Sequence, residues 1–255
     1  MDLNAIASLL LSNHIASSTR KTYNYGLRKF YHFCVVNNIH HIDEYSVLLF
    51  IASLYRSKIA PSTVHVYLSA INNALLEKSL PVLQNKLLLS NALKGYTRLS
   101  NVFPDQRLPV TLQLMAHIKR TLRSSALLRY VQHLYWCACC FAFFGLLRVS
   151  EYTTHSHSVL LPTDHTLLYC NVKVRRDGSI LLLLPHSKVG RNERVSLLPT
   201  KKSVCPVRAF RSFLRLRSTL HQPEKPLFMF RDNSFLSCSD FNSALKSFLK
   251  DIPDS

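Results

Sequence analysis

The sequence predicts a mainly helical α+β protein with one small antiparallel β-sheet, and three observations carry that expectation. Hydrophobic residues fill 47% of 255 positions, ample for real cores. They recur at helical spacing through about the first hundred residues, again from Thr111 to Arg148, and again after Pro206. Between those stretches, the segment from His165 to Leu198 is rich in branched and alternating residues and is broken by Asp177-Gly178, a strong hairpin signal.

The first helix follows Ser18 and Thr19, capping residue types, and its apolar face is Tyr23, Leu27, Phe30 and Cys34. Arg20, Lys21, Asn24 and Arg28 fall together on an adjoining face. An apolar stripe beside a basic polar stripe suits a helix that packs on a domain and faces a phosphate backbone; a merely solvated charged face is the alternative. Asp43 and Glu44 open a second helix carrying Leu48, Ile51 and Tyr55. A third begins after Pro61, with Ser62 or Thr63 as cap and Val64, Tyr67, Leu68, Ile71 and Leu75 inward. Its first turn offers hydroxyls and free N–H groups with His65 close by, a set that suits phosphate as well as capping. A fourth helix, Gln84 to Leu99, carries Lys94 and Arg98 near its end. Ser100 to Pro109 holds two prolines and little periodicity, which predicts a helical domain over 1–100, a linker over 101–109 and a second domain over 110–255.

In the second domain a helix after Thr111 carries Met115, Ile118 and Leu122, and a long apolar helix ends near Arg148. Three strands are then expected: His165 to Val174, Ile180 to Leu184, and Arg194 to Leu198 after a polar turn through Ser187, Lys188, Gly190, Arg191 and Asn192. Pro206 opens a helix to Leu220 with Phe210, Phe213 and Leu214 inward and Arg208, Arg211 and Arg215 outward. A last helix starts at Ser237 with Asp240 as its capping-box partner and carries Phe241, Leu245 and Phe248.

Lys and Arg total 32 against 14 Asp and Glu, a formal net charge of +18. Such an excess repels itself unless a polyanion neutralises it, so nucleic acid is the leading expected partner and an anionic membrane the second. Met1 to Ser12 lacks the basic leader and apolar stretch of a signal peptide. The most apolar segment, Leu134 to Leu147, runs about 14 residues, short of the ~20 that span a bilayer, and reads as a buried core helix. Seven cysteines without an even framework suggest a reducing compartment; Cys137, Cys139 and Cys140 crowd one helical segment, and no further Cys-x-x-Cys pair or histidine partner at finger spacing accompanies them.

The most informative stretch is Gly145-Leu146-Leu147-Arg148-Val149-Ser150-Glu151, where a cation follows directly on an apolar run. A guanidinium there needs an acid or a phosphate as partner, and Glu151, three residues on, is within reach on a helix. Taken alone the pair reads as structural. With its surroundings, the stretch resembles the first-arginine box of the tyrosine recombinase (phage integrase-like) superfamily. In the first half the resemblance rests on Ser18-Thr19-Arg20-Lys21-Thr22-Tyr23, Phe30 to Cys34, Pro61-Ser62-Thr63-Val64 with Tyr67 to Ile71, and Leu93-Lys94-Gly95. In the second half Lys188 matches the family's hairpin lysine. Cys205-Pro206, Arg217, Leu227-Phe228 and Leu236-Ser237 resemble later landmarks of a eukaryotic mobile-element branch, Crypton-like or retrotransposon-borne.

The resemblance implies an all-helical, SAM-like core-binding domain followed by a partial catalytic domain, with double-stranded DNA as partner and no metal or cofactor. A homo-oligomer on DNA and, from DNA as partner and the eukaryotic branch, the nucleus follow as expectations, within the intracellular reducing compartment that the cysteines suggest. When a tyrosine attacks a DNA phosphodiester, charge builds on the non-bridging oxygens, which an arginine fork binds, while a nearby lysine protonates the departing 5′ oxygen. By resemblance Arg148, supported by Glu151, takes the first role and Lys188 the second, while Arg191 and Arg194 join the DNA-contacting set of Arg20, Lys21, Asn24, Arg28, Ser62, Thr63, His65, Lys94 and Arg98. A plain surface lysine is the other reading of Lys188. The resemblance leads one to expect a His-x-x-Arg box and a nucleophilic tyrosine after the helix at Ser237, and no His, Arg or Tyr follows Ser237 in this sequence. The expectation is therefore a DNA-binding, recombinase-derived protein, truncated and catalytically incomplete as given. The alternatives are a fragment of an active recombinase and a basic helical adaptor for RNA or an acidic protein.

Overall fold

The computed structural model describes residues 2–78, 80, 83, 86–100, 109–157, 166–186, 191–217 and 222–250, apart from the side chains of Ser17, Lys86, His186 and Arg191. The chain forms two compact units, Met1–Arg107 and Leu108–Ser255. Each has its own buried cluster.

The first unit holds α1 (Leu3–Ser12), α2 (Ser17–Val36), α3 (Glu44–Arg56), α4 (Pro61–Glu77) and α5 (Lys86–Leu99). Helix α1 buries none of its residues, whereas α2 buries Phe30 and Cys34. Packing of α2 on α4 depends on Gly26, where a Cβ would stand 2.6 Å from Tyr67 Cδ1. Tyr67 in turn stacks on Phe50, with centroids 6.4 Å apart, and Phe50 meets Phe30 edge-on at 5.1 Å.

Some expectations for this unit need correction. Helix α2 starts at Ser17 with Ala16 at the N-cap, so Ser18 and Thr19 lie inside it. Helix α4 starts at Pro61 with Ala60 as N-cap and no side-chain cap bond, so neither Ser62 nor Thr63 caps it. In α3 the buried face is Val47, Phe50, Ile51 and Leu54, rotated from the expected Leu48 and Tyr55. Asp43 does cap α3: its carboxylate accepts the Ser46 N–H at 2.7 Å while Ser46 Oγ accepts the Asp43 N–H. Those bonds from Ser46, backbone first, hold the carboxyl below its ordinary range.

The second unit holds α6 (Leu112–Ser124), α7 (Arg129–Gly145), α8 (Val149–Tyr152), β1 (Val172–Val174), β2 (Ile180–His186), β3 (Arg191–Leu197), α9 (Pro206–Arg217) and α10 (Cys238–Phe248). Helix α7 is the core: every residue from Leu134 to Phe141 is buried, so the apolar run is all-round rather than amphipathic. Burial pushes its thiols up, Cys139 to about 12. The sheet is an antiparallel meander in the order β1-β2-β3, with Leu182 opposite both Val172 and Val195. Ile180, Leu182 and Leu184 of β2 point into the core, and Lys173 and Arg194 are exposed. Gly178, at φ +81°, closes the first hairpin as its residue type requires.

Here too the boundaries shift. Tyr169–Asn171 form a 3-10 turn, held where Asn171 Oδ1 accepts the Leu168 N–H at 3.2 Å, so β1 is shorter than expected. Arg191 and Asn192 belong to β3 rather than to the turn before it. The last helix opens as expected, with Ser237 and Asp240 exchanging cap bonds.

Candidate nucleic-acid interface

Helix α7 stops three residues before Arg148. Leu146 ends it in the left-handed conformation, at φ 50° and 89% exposed, and Leu147 turns back into the core. Gly145 leaves room for that reversal, since a Cβ there would meet the Leu147 Cγ at 3.1 Å and a Leu197 methyl at 3.4 Å. Arg148 is then the N-cap of the short helix α8.

Glu151 fixes this corner. Its buried carboxylate accepts the Arg148 N–H at 2.8 Å through Oε2 and the Arg148 Nη1–H at 3.0 Å through Oε1. Its backbone carbonyl accepts the Leu167 N–H at 2.8 Å, tying the corner to the next segment. The two side chains are unequally placed: Arg148 is 52% exposed and Glu151 only 6%. The carboxylate therefore acts as an internal anchor, and the guanidinium keeps much of its donor fork open to solvent. Such a fork suits two non-bridging phosphate oxygens. Glu151 is thus the expected partner, and the buried member of the pair is the acid.

Lys188 lies outside the described residues, as do Ser187, Val189 and Gly190. The strands on either side are paired up to His186 opposite Arg191. Arg194 is exposed on β3 opposite Leu183.

In the first unit the structure gathers part of the predicted set. His65 on α4 and Lys94 and Arg98 on α5 line one depression of about 670 Å³, together with Ser69 and Thr97. Ser62 lines a second, of about 720 Å³, beside Arg56 and Lys58, and Thr97 borders both. Thr63 is half-buried in the first turn of α4. Lys21, Asn24 and Arg28 are exposed along α2. Arg20 is engaged internally, donating to the Ser12 carbonyl at 2.6 Å and lying 3.9 Å from Glu77.

The second unit's four tyrosines are all at least half-buried. Tyr152, next to Glu151, packs edge-on against Phe241 and Phe228, and burial pushes its hydroxyl far up. Tyr130 donates to the Met229 carbonyl at 2.6 Å, and burial pushes it up to about 12. Tyr169 lies under the guanidinium of Arg217, whose Cζ is 5.1 Å from the ring. Arg217 itself is 1% exposed, with Nε donating to the Leu227 carbonyl at 3.3 Å, and burial pulls its pKa down. Its buried place was not anticipated, although Phe210, Phe213 and Arg217 share one helical face at spacings of three and four.

A helical unit, an arginine corner at the end of a core helix and a three-stranded meander make up a fold that this chain shares with solved recombinase structures, as the resemblance of the sequence leads one to expect. In particular, the chain superposes on XerH site-specific recombinase bound to palindromic difH substrate in a post-cleavage complex, with a TM-score of 0.56 and 14% identity over 90% of this chain and 62% of that one. The XerH pre-cleavage complex with difH gives 0.55 and 15% identity, over 90% of this chain and 60% of that one. The chain thus spans less than two thirds of the length of either. No protein-family model matches it, and no curated protein sequence does.

Proposed function

We propose that this chain is a DNA-binding, recombinase-derived protein whose second unit retains the phosphate-holding part of a phosphoryl-transfer site. The observation that carries the reading is the Arg148 corner. A half-open guanidinium is fixed from behind by a buried carboxylate, at a chain reversal built on Gly145 and the left-handed Leu146. The exposed half of the guanidinium contributes little to stability and is free to meet a phosphate. The basic composition, the groove of His65, Lys94 and Arg98, and the fold shared with XerH support duplex DNA as the ligand.

Following the sequence resemblance, the same reading gives this polypeptide no strand-cleaving activity of its own, and Tyr130 and Tyr152 are not placed to supply it. A nucleophilic tyrosine must reach a phosphorus atom and be readily deprotonated, whereas burial pushes the Tyr130 and Tyr152 hydroxyls the other way. A second reading, a portion of an active recombinase, is favoured by the share of XerH that the chain spans.

One titration tests both. Affinity for a duplex of about 30 base pairs, followed by fluorescence anisotropy, is expected to fall steeply between about 50 and 200 mM salt, by roughly 10³-fold or more for six or more phosphate contacts. Arg148→Ala should weaken it further, and denaturing gels of the same mixtures should show no covalent protein–DNA adduct. Salt-independent affinity, or tighter binding of an acidic polypeptide, would overturn the DNA reading. An adduct would overturn catalytic incompleteness alone.

A further inference from the structure

Along the N-terminal half of α7, from Arg129 to Trp136 and so away from the Arg148 end, the second unit has a separate cavity of about 380 Å³. Its wall brings together Lys119 and Arg123 of α6, Arg129 and His133 of α7, and Arg208 of α9. No Asp or Glu lines it, and among the described residues no ion pair joins these cations to an acid.

Two of the cations are held in place. The Lys119 ammonium donates to the Ser203 carbonyl at 2.6 Å and stands 5.4 Å over the Trp136 ring, and Arg208 donates to the neighbouring Lys202 carbonyl. The groups also feel one another. Burial, then Arg123 and Arg208, lower the Lys119 pKa, and burial, then Arg129 and Arg123, lower that of His133. Three guanidinium groups and the Lys119 ammonium around one small space raise the energy of the empty protein, a cost that a multiply charged anion removes.

We propose that this cavity is a binding site for a compact polyphosphate, a ligand carrying three or more negative charges within one linear or clustered group. Size and charge density set the class. The volume lies at the small end of ligand pockets, roughly 300–1,000 Å³. A duplex backbone presents one charge per phosphate along a convex surface, whereas these cations converge on a concave one. The inference stands independently of the DNA reading, since neither Arg148 nor the α4–α5 groove takes part.

The test is calorimetric titration of the whole chain with inorganic tripolyphosphate, at constant ionic strength set with chloride. Saturable one-to-one binding is expected, with Arg123→Gln and Arg129→Gln each weakening it at least tenfold. Arg176→Gln, an exposed cation at the first hairpin turn, should leave it unchanged. Because Arg123 and Arg129 are exposed and their removal relieves repulsion, both variants should melt at or above the wild-type temperature without ligand. Binding that does not saturate, or that Arg176→Gln weakens equally, would overturn the site. Displacement of tripolyphosphate by a duplex of about 30 base pairs would overturn the small-ligand assignment and give the cavity to DNA. Wild-type duplex affinity retained in Arg123→Gln and Arg129→Gln keeps the two sites distinct.

Discussion

Glu151 serves two groups at once, and mutation separates them. One carboxylate oxygen holds a backbone N–H and the other the Arg148 guanidinium, and the whole carboxylate is out of solvent. Removing the arginine strands a buried charge: Arg148→Ala should cost about 1–3 kcal/mol, read as a lower urea midpoint. Arg148→Ala with Glu151→Gln should be more stable than Arg148→Ala alone, because the unpaired charge is gone. DNA affinity should not recover in the double variant. A pair that existed only for stability would lose no affinity in either.

At the scale of elements, two glycines should respond in opposite directions. Gly26 lies where α2 crosses α4, and an added methyl would press on a buried tyrosine ring already stacked on Phe50. Overpacking of that kind costs about 1–3 kcal/mol and exceeds the ~1 kcal/mol that helix propensity returns, so Gly26→Ala should lower the melting temperature of the first unit. At Gly95 in α5 an added methyl would meet no neighbouring atom within 4 Å, so Gly95→Ala should raise stability by about 0.5–1 kcal/mol. Thermal melts of both variants check the pair. The same scale shows where sequence pattern suffices. In α4 the apolar positions fall cleanly three and four apart, and all five expected inward residues are buried. In α3 the run Val47-Leu48-Leu49-Phe50-Ile51 has no polar interruption to select a face, so contact with α2 and α5 decides it. A side-chain bond from Asn171 shortened β1, a local competition invisible to alternation. The Arg148–Glu151 pair was legible because its members are three residues apart. The five-residue basic cavity was not, since α6, α7 and α9 bring it together only in the fold.

For the whole molecule the charge is distributed over both units. The first has 11 Lys and Arg against 5 Asp and Glu and the second 21 against 9, net +6 and +12. Each unit also has a separate hydrophobic cluster, and such units fold independently when their cores are complete. On the proposed reading, with phosphate held by both units, their joining in one chain turns the second contact into an intramolecular event. Residues 1–107 and 108–255 made as separate polypeptides should each bind duplex DNA weakly, with the joined chain binding about 10²–10⁴-fold tighter than either. The salt slope is the sharper readout: the slopes of log affinity against log salt for the two pieces should together approach that of the intact chain, because each slope counts the phosphates neutralised. If the second unit alone reproduced the full affinity and the full slope, the α4–α5 groove would have no part in the interface. The basic faces of the first unit would then be ordinary solvated surface.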